Sequence, residues 1–436
     1  MKEFAMRIKT KIQEDLNRTD APVTLCVDEW TSRSGNRYIG ITAHTYWRSE
    51  QLEYSLALVP VTRIHLRATD IRCTAEKVAT DFGIFSKVET VITDSASIMI
   101  SAFTDTDCQW TWYPCACHLI NNIIGCFLEI IDDFVEPIKR IQICVANRTT
   151  FKTFLEQERS HLTKIPSWVK VRWLSMCDMI SAIVKLEPLI RKFARDEKIT
   201  LPLDGFSNAR DLNHLFIQVN NAFGTLESNE FGAISWFIPA LTLLGSCISE
   251  LPEKYNEAKE QYFQIEQKKW SSIMMQAKMV YFVAMRLNPM IDAINYATRE
   301  ELNDTDQFII SEIGDTLSIS EIEPKGLTDW SMIRNKSQRK VRNEFQHYLS
   351  EPIGGVIAIQ EFWETKSLQY PRLSQFAKKI LSIPPSTANC ERMFSQISYN
   401  IGLRTLSLIC SSVEAITLII SNLRIFESIW DWEKVF

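Results

Sequence analysis

Residues 23–61, VTLCVDEWTSRSGNRYIGITAHTYWRSEQLEYSLALVPV, decide how the chain begins to fold. Val23 to Asp28 is a short β-rich run. It is followed by the turn-forming cluster SRSGN at 32–36 and then by a second run, Tyr38 to Trp47. Leu52 to Val61 alternates apolar and polar residues until a proline interrupts it. Three strands joined by short turns read as an antiparallel meander, because two-strand reversals need only a few turn residues.

Downstream of the meander the periodicity changes. Thr69 to Phe82 places Ile71, Ala75, Val78, Ala79 and Phe82 on one helical face. VETVITD at 88–94 returns to a strand pattern, and a short helix starts near Ala96. WTWY at 110–113 reads as a fifth strand, and His118 to Ile131 is helical again. The order βββαβαβ predicts an α/β fold with a mixed sheet, parallel strands being added through helical crossovers. This element order resembles the ribonuclease-H-like folds.

The chain has 436 residues, of which 46% are hydrophobic and 23% charged, a globular composition that excludes collagen-like, mucin-like and wholly disordered classes. Net charge is −5, so contact with nucleic acid has to come from local patches rather than from the field of the whole molecule. Eleven cysteines in a chain this long do not make a disulfide scaffold. Met1 to Asp15 is charged and amphipathic without a secretory core. Reduced thiols in the cytosol or nucleus are the expectation. The longest uncharged run, Phe231 to Ser249, contains Gly232, Pro239 and Gly245, and reads as a buried, kinked helix rather than a membrane span.

From about Phe134 to Met332 helical periodicity dominates, as in Met176 to Phe193 and Ser271 to Ala297. Glu300 to Glu323 holds eight acidic residues and no basic one, and is expected to be a surface loop or linker. RNKSQRKVR at 334–342 carries five basic residues in nine, which suits a solvated helix start or a phosphate contact. Pro371 to Leu381 and Val413 to Leu423 are amphipathic or apolar helices.

Three acids stand out by context. Asp28 ends the first strand, Asp94 ends the strand of ITDSAS, and Glu391 lies near a helix start in PSTANCERMFS. Carboxylates at the C-terminal ends of strands lie at a sheet rim, where ligands bind. If the first and fourth strands are neighbours, Asp28 and Asp94 face each other, and two close carboxylates call for a cation with a taste for hard oxygen, magnesium or manganese. Taken singly, each acid also reads as a strand-end or helix-start charge. Cys115 and His118 in PCACHLINN lack a second ligand pair at finger spacing, so zinc is set aside in favour of packing and hydrogen bonding. Arg172 and Trp173 suit either stacking on a displaced base or a core anchor beside a surface charge.

The ordered set LCVDEWTS, ITDSAS, CACHLIN, RWLS, YPRLSQFAKKIL, IPPSTANCERMFS and VEAITLIISNL closely resembles the transposases of the hAT superfamily, and proteins domesticated from them, from about Val23 to Leu423. The resemblance implies a ribonuclease-H-like core in residues 1–173, a helical insertion over 174–341 that includes the acidic stretch at 300–323, and a C-terminal dimerisation region over 342–436 that carries the last core helix. It implies that Asp28, Asp94 and Glu391 hold two divalent metals, Mg2+ or Mn2+. It also implies that Cys115 and His118 form the family's Cys-x-x-His motif, and that Trp173, beside Arg172, serves a flipped base. DNA with transposon-end-like sequence, self-association, a nuclear location and no membrane contact follow as expectations.

There are departures. The family's N-terminal BED finger is not seen, Ser95 and Ile98 stand where asparagines are usual, and of a basic cluster after CERMFS only Arg404 remains. Fewer cations there weaken phosphate contact. Three readings follow: a DDE-type transposase or its remnant, a non-catalytic dimerising protein acting as a nuclear DNA-associated or regulatory factor, and a different ribonuclease-H-like nuclease, which the C-terminal motifs disfavour. The sequence leaves catalysis open.

Overall fold

The alternation of side chains along the first strands sets the two faces of the sheet. The computed structural model describes residues 2–32, 35–63, 65–146, 148–168, 174–228, 230–273, 275–314, 343–351, 358–401 and 410–422. A helix, α1 (Lys2–Arg18), precedes β1 (Val23–Thr31), β2 (Arg37–Trp47) and β3 (Glu50–Pro60). Then come α2 (Ala68–Asp81), β4 (Val88–Thr93), α3 (Ser97–Phe103), β5 (Thr111–Pro114) and α4 (Ala116–Ile130). The five strands form one sheet in the order β3-β2-β1-β4-β5. β1–β2 and β2–β3 are antiparallel, whereas β1–β4 and β4–β5 are parallel. The meander and the two crossovers are therefore present as the periodicity indicates.

Val23, Leu25, Val27, Ile39, Ile41 and Ala43 point to one face, where Ile8, Ile12 and Leu16 of α1, Ile71 and Ala75 of α2, and Met99 and Phe103 of α3 cover them. Alternate positions point the other way, and Cys26, Tyr46, Leu58 and Ile92 join a second, larger core. Interspersed on that second face are the buried polar side chains Thr24, Asp28, Thr42 and His44. A sheet with one oily face and one partly polar face has its chemistry on the polar side.

The second core extends through the helices that follow: α5 (Asp132–Ala146), α6 (Thr149–Gln157), α7 (Leu174–Asp196), α8 (Leu203–Leu226), α9 (Phe237–Ser249), α10 (Asn256–Ser272), α11 (Met275–Arg286) and α12 (Arg299–Glu312). It continues into α13 (Glu344–Leu349), α14 (Ile359–Thr365), α15 (Pro371–Leu381) and α16 (Ala388–Ile401), and α17 (Cys410–Ser421) follows them. Helices α5 to α16 are thus built mainly onto this sheet face, whereas α17 packs beside α1 with Leu418 in the first core. No single described helix is long and apolar enough to cross a membrane, and the uncharged run at 231–249 is a short 3-10 turn followed by the buried α9.

Two expectations need correction. The acidic stretch from Glu300 is no linker up to Gly314: α12 is an ordered helix with a reciprocal capping box between Thr298 and Glu301, and Thr305 and Ile309 are buried. Acidic residues in the first turn favour the helix dipole, and two inward-facing residues anchor it. The remainder of that stretch and the basic run at 334–342 lie outside the described residues. Ser271 to Ala297 is not one helix. The chain is extended at Ile273, and α11 stops ahead of Asn288-Pro289, where Asn288 Oδ1 accepts from Met290 N–H at 2.9 Å. A proline disfavours helical geometry in the residue before it, and the Asn side chain turns the backbone.

Candidate functional site

β1 and β4 run parallel with Cys26 opposite Ile92. Two residues further along each strand, on the same face, stand Asp28 and Asp94. The adjacency of β1 and β4 thus delivers both aspartates side by side to one rim, by period-2 geometry alone. Asp28 is 7% exposed and its Oδ1 accepts from Glu29 N–H at 2.8 Å. Asp94 follows the last residue of β4, and its Oδ1 accepts from Ala96 N–H at 3.1 Å, turning the chain into α3. Ser95 Oγ beside it is buried without a partner.

Glu391, in the first turn of α16, is exposed, and reaches the same rim by a long route. A series of backbone and sulfur contacts explains its arrival. Cys115 Sγ caps α4, accepting from His118 N–H at 3.5 Å, and also receives Thr387 N–H at 3.4 Å, from 272 residues downstream. Ala116 N–H donates to Pro385 carbonyl at 2.8 Å. Ser386 Oγ donates to the last carbonyl of α8, Leu226, at 3.1 Å. Arg392 Nη1 donates to the Glu227 carbonyl at 3.1 Å, a cation at a helix C-terminus as the dipole favours. The double-proline loop is therefore held between the start of α4 and the end of α8.

α16 then lies on the polar sheet face. Cys390 Sγ donates to the Cys26 carbonyl at 3.4 Å, and Trp30 stacks on Phe394 with centroids 5.6 Å apart. Gly40, the register partner of Asp28, makes room: a Cβ there would lie 2.6 Å from Phe394 Cζ. Glycine in a strand interior marks such close approaches. Gly40→Val is expected to lift α16 and cost about 1–3 kcal/mol of stability, read by chemical denaturation. Stability equal to wild type would show that α16 does not need this contact.

Electrostatically, these groups influence one another. Asp28 is pushed up to about 7, first by burial and then by Asp94 and Glu391, with His118 opposing the shift. Burial works against a charged His118, but Cys115, Asp28 and Glu391 outweigh it and hold the imidazole up at about 10. His118 Nδ1 is buried with no partner. Glu227, just past the end of α8, is raised by burial and by Glu391, while Arg392 and His118 oppose. Among the described residues, no three His, Cys, Asp or Glu side chains stand close enough to clasp an ion. Arg172, Trp173 and Arg404 lie outside the described residues.

Sequence reading missed Glu227, which belongs to no motif and reaches the rim only because α8 ends there. It also missed the fit between Gly40 and Phe394, for which a lone glycine in an alternating strand was an available signal.

Residues 344–423 match the model of the hAT family C-terminal dimerisation region. The match supports an hAT-family transposase-like protein. Comparison with curated proteins gives no match. In this chain the matched region spans α13 to α17, and it is woven into the core rather than appended to it. α16 brings Glu391 to the sheet, and after α17 the Asn422 side chain bonds both backbone groups of Ser55 on β3, at 3.1 and 2.9 Å. β3 is an edge strand, and an amide that mimics a neighbouring strand satisfies part of that edge. The region supports self-association of the chain.

Proposed function

We propose that this dimerising hAT-family protein acts on DNA phosphodiesters, through a ribonuclease-H-like core in which Asp28, Asp94 and Glu391 hold two divalent cations. The observation that carries the reading is the coupling of buried Asp28 to both Asp94 and Glu391, although Glu391 lies beyond the whole run of helices α5–α15. The sheet order, with three antiparallel strands and two parallel additions, supports the core assignment. The donor set fits the ions: three carboxylates offer only hard oxygens, the preference of Mg2+ and Mn2+. Cations held there supply activation of a water or 3′-hydroxyl and stabilisation of the leaving oxygen.

The chain's own residues do the rest. Asp28 is fixed inside β1, which runs on to Thr31 beyond the strand end expected from the sequence, Asp94 is fixed by the end of β4, and Glu391 is fixed by the docking of α16. His118, held up at about 10 by Cys115, Asp28 and Glu391, favours the charged form of the neighbouring carboxylates. Cys115 holds the start of α4 and the double-proline loop together, which keeps His118 and Glu391 on one side of the rim. With a net charge of −5, DNA is met by local cations and by a nuclear location that brings the two together.

The test is cleavage of a transposon-end duplex with Mg2+ or Mn2+, comparing wild type with Asp94→Asn. Cleavage by wild type and none by the variant is the expected result. Wild type inert with both metals would end the enzyme reading and leave a dimerising, DNA-associated role. Self-association is measured separately, by sedimentation of the intact chain over a range of concentrations. Truncation before Pro371 would strip α16 from the sheet, so the whole chain is used. A monomer at every concentration would remove the dimer.

A further inference from the structure

Beneath the exposed Glu391 runs a buried polar row that the mechanism above does not use. On the polar face of β2, alternate residues Gly40, Thr42 and His44 meet successive residues of α16. Gly40 accommodates Phe394, and Thr42 Oγ1 lies 3.8 Å from Cys390 Sγ. His44 Nε2 is 3.0 Å from Thr42 Oγ1, and Asn389 Nδ2 is 3.3–3.4 Å from the two ring nitrogens of His44. Thr42, His44 and Asn389 are 0%, 2% and 3% exposed. Asn389 Oδ1 has no partner as placed. In a neutral ring, Nδ1 accepts from Asn389 Nδ2–H and Nε2–H donates to Thr42 Oγ1, so Thr42, His44 and Asn389 form a continuous chain of donors and acceptors.

An apolar row of the same volume would hold α16 on the sheet at least as well, because paired polar groups in a core add little net stability. What a polar row adds is uniqueness of position. A helix resting on oil slides with small loss, whereas sliding α16 by one turn, about 5.4 Å, leaves His44 and Asn389 buried and unpaired, a cost on the order of 1–3 kcal/mol for each orphaned group. Asn389 is two residues from Glu391, so whatever sets the place of Asn389 sets that of the carboxylate.

We propose that His44 and Asn389 are positioning residues: their pairing sets the axial register of α16 and hence the place of Glu391 opposite Asp28 and Asp94. The inference rests on the functional reading above only for what Glu391 does; the register itself is independent of it. His44 is held neutral by burial and by Arg392, its pKa pushed down to about 3, which suits a ring that donates on one side and accepts on the other.

The experiment uses the full chain and four proteins: wild type, His44→Leu, Asn389→Leu and His44→Gln. Spin labels introduced as unnatural amino acids at the exposed positions Thr31 and Tyr399 report the seating of α16 by electron–electron distance measurement. Wild type and His44→Gln, which keeps a donor and an acceptor, are expected to give one narrow distance. The two leucine variants, each leaving its former partner buried and unpaired, are expected to fold with a lowered thermal midpoint and to give a broadened or split distribution. Mn2+ binding, followed by electron paramagnetic resonance, is expected to weaken about tenfold in the leucine variants, ~1.4 kcal/mol, with recovery in His44→Gln. A single unchanged distance in folded leucine variants overturns the proposal. If wild type binds no Mn2+ while the distances still split, the register role holds and the metal reading is what fails.

Discussion

Replacing Asp28 by Asn is expected to raise the stability of the chelator-treated protein above pH 7 while abolishing any metal-supported cleavage. The physical reason is the crowding of carboxylates at the rim. Asp28 is buried, and its pKa rises from 3.8 to about 7 through burial, Asp94 and Glu391, with His118 and the Glu29 N–H opposing. An acid whose folded-state pKa lies above its unfolded value penalises the folded state once it ionises. The penalty is absent below pH 4, grows as pH rises from about 4 to 7, and is fully present above 7. Its size corresponds to about 4 kcal/mol. Asparagine keeps the shape and removes the charge, so the variant's gain should follow that same pH window and vanish in acid. Added Mg2+ or Mn2+ should stabilise wild type and leave the variant unchanged, since a ligand stabilises only the form that binds it. Chemical denaturation at pH 4 and pH 8, with and without metal, checks both statements. Equal stability of the two proteins at pH 8 in chelator would show that Asp28 is not burdened by its neighbours.

Trp363→Ala is expected to cost about 3–5 kcal/mol and to loosen the matched C-terminal region from the helices before it. Trp363 on α14 is fully buried, and its Nε1–H donates to the Leu287 carbonyl at 2.9 Å, just beyond α11. Its ring lies 5.1 Å from that of Tyr348 on α13 and 5.2 Å from that of Phe362, and its own carbonyl accepts from Ser374 Oγ on α15 at 2.7 Å. Removing the indole leaves a cavity and an orphaned carbonyl at the same place. Trp363→Phe retains much of the volume but loses the N–H, so a smaller loss is expected, set by the carbonyl alone. Urea unfolding of the three proteins, followed by sedimentation of each, measures the effect. An alanine variant within 1 kcal/mol of wild type would mean that α13–α15 are not joined to α11 through this side chain.

The strand pattern and the two aspartates were legible because they depend on short-range rules. Val23–Asp28, Tyr38–Trp47 and Leu52–Val61 declare themselves by alternation and by the turns between them, and Pro371–Leu381 by helical spacing. A carboxylate at the end of a predicted strand is placed by the strand itself. α12 was misread because composition outweighed its capping box: Thr298 and Glu301 spell a helix start, and Ile309 an inward face, within a segment judged by its charge. Helical spacing runs through Ser271–Ala297, but the extended Ile273 and the Asn288-Pro289 turn divide it.

Alternating residues along β1, β2 and β4, helical spacing through the later segments, and the ordered motifs up to VEAITLIISNL were contained in the linear chain, since each depends on neighbours a few positions apart. Only the packed molecule decided that Cys115 would meet Thr387, that Gly40 would admit Phe394, that His44 would find Asn389, and that Glu227 would stand beside Glu391. Those pairings join residues separated by long stretches of chain, and no local preference specifies them. They exist because one helix fits one sheet face in one position, which volume and buried hydrogen bonds select and periodicity does not.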